Sequence, residues 1–206
     1  MAVVGKDFLF IHNPKCAGKS LSRRLGGATR TIPSHAPLSF FPAEQRKDLF
    51  TFGFVRNPWD RAVSIYTFLI NKPPRPREDL TYKEAARQMG FNRWLLESRL
   101  FIADDSLWQR PDLAPIQSRS QMFWVEGCDF IGKVETVEDD LRVIEARISR
   151  SRTLWYRLRY SGKLERRNVS RRSDYRRHYN DDSAEFIAHH FAEDIDRFGY
   201  AFDPLV

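Results

Sequence analysis

Apolar residues fall along this chain in short dense runs separated by polar turns, and the runs differ in kind. Phe8-Leu9-Phe10-Ile11 is continuous and lies between Asp7 and Asn13-Pro14. A run so short, without polar alternation, predicts a strand buried on both faces, as in a parallel sheet. Pro14 to Ser20 reads as a loop and Ser20 to Leu25 as a short helix stopped by Gly26-Gly27. Thr29 to Ile32 offers a second short strand, and Leu49 to Val55 is another buried one. Behind it, Asn57 can cap a helix and Pro58 can take its first position. That helix turns Ala62, Val63, Ile65, Tyr66 and Leu69 inward and ends at Lys72-Pro73-Pro74.

The second half follows the same grammar. Thr81 to Leu100 has a helical pattern with a break near Gly90. Asp104 to Gln117, with Pro111 and Pro115, reads as irregular. Phe123 to Val125 and Phe130 to Val134 read as short strands around Glu126-Gly127. Thr136 is placed to cap a helix from Val137 to about Arg150, with Glu138, Asp139 and Asp140 in its first turn. Phe186, Ile187, Phe191, Ile195 and Phe198 recur at helical spacing, which predicts one amphipathic helix over Ser183 to Phe198. Strands alternate with helices, and neither repeats nor low-complexity linkers divide the chain. The expectation is a single α/β domain over residues 1–206, built as a three-layer, P-loop-like fold with a central, mostly parallel sheet flanked by helices.

Composition narrows the class. The 206 residues are 42% hydrophobic and 14% aromatic, which is globular rather than disordered. No stretch approaches 18 uninterrupted apolar residues, and Lys6 and Asp7 interrupt any signal-peptide core, so neither a transmembrane helix nor a leader is expected. Two cysteines, Cys16 and Cys128, make neither a disulfide scaffold nor a zinc site. The expectation is a reduced, cytoplasmic chain without a structural metal. Charge changes the picture more. Lys and Arg number 34 against 27 Asp and Glu. From Arg147 to Arg177, eleven Arg and Lys163 face only Glu165 and Asp174, so this segment carries +10 and the rest −3. Such density suits either a solvated helical face or an anion-binding surface, since the Arg fork donates two parallel bonds to an oxyanion.

Two turns carry candidate chemistry. The first, Ile11-His12-Asn13-Pro14-Lys15-Cys16-Ala17-Gly18-Lys19-Ser20, follows a strand and opens a helix, where backbone N–H groups and the helix dipole favour an anion. Lys15 and Lys19 add charge and Ser20 a hydroxyl. The ending imitates a Walker A loop, but that pattern requires Gly where Asn13 stands. The plain alternative is an ordinary strand-to-helix turn. The second turn puts Arg56 at the end of a buried strand and Ser64 two helical turns on. Together they suit one phosphate; alternatively, Arg56 pairs with a carboxylate.

Pro-Lys-x-x-Gly-x-Ser at 14–20 and Arg-Asn-Pro-x-Asp-Arg-x-x-Ser at 56–64 together resemble the sulfotransferase family, most closely its carbohydrate and heparan 2-O-type branch and bacterial relatives. The resemblance continues at Asp129 to Glu135, at Asn168-x-Ser170, at Tyr175 and Tyr179, and at Ala192 to Tyr200. It implies a donor, 3′-phosphoadenosine 5′-phosphosulfate. Lys15, Cys16, Ala17, Gly18, Lys19 and Ser20 would cradle its 5′-phosphosulfate, Arg56 and Ser64 would hold the 3′-phosphate, and Ser170 would close over the nucleotide. The chain departs from the family at Cys16, Ala17 and Lys19, losing hydroxyls and gaining a charge.

Sulfuryl transfer is in-line, and the protein mainly positions groups and stabilises charge. Its transition state needs less counter-charge than phosphoryl transfer, so no metal is called for. Lys15 would stabilise the leaving bridging oxygen. The acceptor hydroxyl, expected on a carbohydrate that the Arg147–Arg177 segment would steer if it is anionic, needs a base near neutral pH. His35, in Pro33-Ser34-His35-Ala36-Pro37, matches the family's catalytic His. His12 reads as a core group and His178 as exposed. His189 and His190 lie on different helix faces. Trp59, Trp94, Trp108, Trp124 and Trp155 read as core packing. Two other functions compete: a P-loop kinase using ATP, which Asn13 disfavours, and a non-catalytic polyanion binder, which leaves the two turns unexplained. No aromatic–basic motif of the common RNA modules occurs, so nucleic acid is not an expected partner.

Overall fold

The apolar segments at Phe8–Ile11 and Phe50–Val55 are strands. The structure, a computed structural model, describes residues 2–26, 35–71, 81–97, 119–148 and 174–202. In chain order its elements are β1 (Val3–Val4), β2 (Phe8–Ile11), α1 (Gly18–Arg24), α2 (Ala43–Arg46), β3 (Phe50–Val55), α3 (Pro58–Asn71), α4 (Thr81–Glu97), α5 (Met122–Val125), β4 (Phe130–Lys133), α6 (Val137–Ile148), α7 (Asp181–His190) and α8 (Ala192–Phe198). Single 3-10 turns lie at Leu38–Phe40 and Tyr175–His178. The chain groups into two compact units, Met1–Arg56 with Gln121–Asn168 and Asn57–Ser120 with Val169–Val206. The strands expected at Thr29–Ile32 and the irregular stretch Asp104–Gln117 lie outside the described residues, as do Trp108 and Trp155.

The first unit holds the sheet, in the order β1-β2-β3-β4. β2, β3 and β4 are parallel, with Ile11 opposite Gly53 and Val55 opposite Lys133. β1, which no pattern announced, pairs antiparallel to β2. Every residue of β2 and β3 is buried. Because side chains alternate across a strand, Phe8 and Phe10 share a face with Phe50, Phe52 and Phe54. The rings of Phe8, Phe10 and Phe50 each meet that of Phe52 at 5.5–5.8 Å between centroids. Leu21 of α1 and Val137, Leu141, Ile144 and Ile148 of α6 cover this face. On the other face Val125 of α5 lies against Gly53. The result is the expected α/β arrangement, P-loop-like, with a mostly parallel sheet flanked by helices.

α6 is held by its apolar stripe. Each fully buried Leu or Ile contributes about 1.5–3 kcal/mol, against roughly 0–1 kcal/mol for an exposed pair such as Arg142–Asp139. Arg24 adds a two-pronged bond from α1 to Glu145 of α6, at 2.6 and 3.0 Å. The Thr136 cap differs in detail from expectation. Its carbonyl accepts the Asp139 and Asp140 N–H groups, while its hydroxyl donates to the Asp140 carboxylate, which also takes the Lys133 N–H.

The second unit packs α3, α4, α7 and α8 around Trp59, Trp94, Phe91, Ile187 and Phe191. Asn57 caps α3 as expected, its Oδ1 accepting from the N–H groups of Trp59 and Asp60. Gly90 breaks α4 with φ 73°. No helix among the described residues is long and apolar enough to cross a membrane.

Three expectations are corrected. Phe123 to Val125 is helical, not a strand: the Trp124 and Glu126 N–H groups bond back to Gln121 and Met122. An apolar run this short has no decisive period. The last helix is two, parted at Phe191 (φ −112°, ψ 30°), and begins earlier, where Asn180 and Ser183 form a reciprocal capping box. His178 is half-buried rather than exposed, edge-on to Phe91 at 5.7 Å.

Gly53 tests the sheet-to-α5 packing. A Cβ there would lie 2.6 Å from Cγ1 of the buried, β-branched Val125. Gly53→Ala is expected to lower stability by about 1–3 kcal/mol, read as a fall in the urea midpoint at unchanged slope.

Candidate active site

β2 ends at Ile11, and the chain turns through residues 12–17 into α1. Lys15 (φ 66°) and Ala17 (φ 56°) adopt the left-handed conformation, which costs a residue with a Cβ about 1–2 kcal/mol. Left-handed residues in a turn are the building form of backbone nests that hold anions. Lys15 is half-buried, Lys19 exposed, and Cys16 and Ser20 buried. Gly18 opens the helix, and the ring of His12 fills the space that a side chain would need: a Cβ on Gly18 would lie 1.8 Å from it.

Asn13, where a Walker loop has Gly, is fully buried and productive. Its Nδ2 donates to the carbonyl of Phe54 at 3.0 Å and to Oε1 of Gln121 at 3.3 Å. Gln121 is itself wholly buried. Its Oε1 accepts the N–H of Arg56 at 2.9 Å and the Cys16 thiol at 3.2 Å, and its Nε2 donates to the carbonyl of Arg56 at 2.8 Å. Arg56 stands one residue past β3, and its guanidinium Nη1 donates to the carbonyl of Lys15 at 3.2 Å. The two cationic turns therefore touch.

His35 joins them. Its Nδ1 lies 3.0 Å from the carbonyl oxygen of His12. A carbonyl can only accept, so Nδ1 carries the proton and the neutral ring keeps its lone pair on Nε2. The His35 carbonyl accepts from the Trp124 indole N–H at 3.0 Å, and its ring packs on His12 at 4.3 Å between centroids. His35 too is left-handed, at φ 70°. The structure thus brings together Lys15 to Ser20, Arg56 and His35 within the first unit. Ser64 is half-buried on α3 in the second unit, and Ser170 lies outside the described residues.

A model of the sulfotransferase family matches residues 7–201. The chain belongs to the sulfotransferase family. Searches of curated proteins and of solved structures gave no match. Membership makes this a transferase of sulfuryl groups.

Some residues of this sulfotransferase's site carried no sequence signal. Gln121 sits in no motif, and its partners are 65 to 108 positions away. Trp124 read only as core packing, which its burial supports, but its indole also anchors His35. His12 is a buried group, as expected, with a further property. Burial, and then the neighbouring His35, hold its pKa well below the usual 6.5, so the ring is neutral.

That neutrality has a pH signature. Unfolding frees His12 to bind a proton at its ordinary pKa of 6.5, whereas the folded ring resists it. Stability is therefore fully present above pH 6.5 and falls as pH drops below it, by up to about 1.4 kcal/mol per pH unit from this residue. His12→Phe, which keeps a ring but cannot titrate, is expected to flatten this slope in urea unfolding between pH 7 and 5. An unchanged slope would assign it to other groups.

Proposed function

We propose that this sulfotransferase uses 3′-phosphoadenosine 5′-phosphosulfate as donor and a carbohydrate hydroxyl as acceptor. The observation that carries the reading is the bond from Arg56 to the carbonyl of Lys15. It brings two cationic turns to one spot, as a nucleotide phosphorylated at two ends requires. The residues suit such a donor: Lys15 and Lys19 supply charge beside a turn with nest-type backbone, and Arg56 supplies a fork. The carbohydrate acceptor rests on the resemblance of the two motifs to that branch of the family. The basic surplus of 147–177 suits an acceptor that is itself anionic.

The bound donor supplies the sulfuryl group, whose bond to the bridging oxygen breaks as the acceptor oxygen bonds to sulfur. His35 Nε2 takes the acceptor's hydroxyl proton, and its Nδ1–H stays on the His12 carbonyl, so the imidazolium that forms is oriented and partly neutralised. Lys15 compensates the negative charge gathering on the leaving oxygen. Arg56 holds the nucleotide's far phosphate. The match from 7 to 201 runs through both compact units, which we read as one functional domain.

Thermal denaturation tests this. Adenosine 3′,5′-bisphosphate without metal is expected to raise the melting temperature more than ATP with Mg²⁺. Arg56→Ala should abolish the bisphosphate shift. His35→Ala should keep the shift while sulfate transfer from the donor to a desulfated polysaccharide drops about 10²–10⁴-fold. Greater stabilisation by ATP with Mg²⁺ would overturn the donor, and normal turnover by His35→Ala would overturn the base.

A further inference from the structure

We infer that Gln121 is a positioning residue which aims Arg56, and so sets the preference of this site for an adenosine nucleotide phosphorylated at the 3′ position. The inference rests on the reading of Arg56 given above. Arg56 lies just past the last residue of β3, where strand geometry no longer fixes the backbone. The direction of its guanidinium then depends on what holds its own N–H and C=O. Gln121 holds both, accepting the first at 2.9 Å and donating to the second at 2.8 Å. The two bonds lie on either side of the Arg56 Cα, so they restrain φ and ψ together.

Few side chains can do this. The task needs an acceptor and a donor on one planar group, which Asn and Gln provide and Glu, ionised, does not. The reach must also be that of Gln, since the same oxygen accepts the Cys16 thiol at 3.2 Å and Asn13 Nδ2 at 3.3 Å. Those bonds tie Arg56 to the Lys15–Ser20 turn through one carboxamide. Gln121 has no exposed surface, so water is not at hand to replace a lost bond. A network of this kind is stiff when complete and loose when broken. The loosened group would be Arg56, and its ligand the 3′-phosphate.

The measurement is the ratio of dissociation constants for adenosine 5′-monophosphate and adenosine 3′,5′-bisphosphate, by calorimetric titration of the whole chain. Gln121→Met, similar in size but without the amide, is expected to reduce the preference for the bisphosphate about tenfold, with little change toward the monophosphate. In an Arg56→Ala background, titrated at nucleotide concentrations high enough to fill the weakened site, the same substitution should leave the ratio unchanged, because the group it acts through is gone. If Gln121→Met does not fold, Gln121→Asn, one methylene short, is expected to lower the same ratio. A preference that survives in the folded variant, or equal weakening of both nucleotides, would overturn the role of Gln121 alone. A wild-type chain with no preference would overturn the reading of Arg56 and this inference with it.

Discussion

A parallel sheet ends its strands along one edge, and the peptide groups just beyond that edge need partners from outside the ladder. Here those partners are side-chain amides. Asn13 takes the carbonyl of Phe54, where β3 runs on past the end of β2, and Gln121 takes both peptide groups of Arg56. Each amide makes a further bond: Asn13 Nδ2 also donates to Gln121, and Gln121 Oε1 also accepts from Cys16 in the first turn. Satisfying the backbone of one strand end thus fixes the other. The proposed chemistry depends on this, because the Arg56 guanidinium meets the Lys15 carbonyl only while both turns are held.

Among the described residues, three with a Cβ sit in the left-handed region, and all three belong to the candidate site: Lys15, Ala17 and His35. Strain of this kind persists where packing over-determines the backbone. The determinants are identifiable. The ring of His12 lies beneath Gly18 and against His35, and the Trp124 indole ties the His35 carbonyl. Trp124 is carried by α5, and α5 closes on the sheet because Gly53 leaves room for Val125. A glycine in the middle of a strand is in this way connected to the orientation of the residue we assign as base.

Much of the sheet was legible in the sequence, for a physical reason. β2 and β3 are buried on both faces, so both lack charged residues and read as dense apolar segments, and the turns behind them begin with residues that end strands and start helices. α3 and its Asn57 cap were legible on the same grounds. Local pattern failed where two structures share one local pattern. Met122 to Val125 is too short to show a period, and the break at Phe191 sits inside a continuous apolar stripe. In the site, Lys15, Arg56 and His35 stood out because their motifs are contiguous. Gln121 did not, because its work is defined by partners far away in the chain. β1 is only two residues long and gave no pattern to read.

The contact between His12 and Gly18 reaches beyond the present chemistry. The imidazole occupies the volume that any side chain at 18 would claim. Neither position is then free to drift by itself: enlarging 18 demands a smaller group at 12, and shrinking 12 leaves a void under the turn. The volume at either position thus sets what the other can hold, and a change at one is expected to pack poorly until the other compensates.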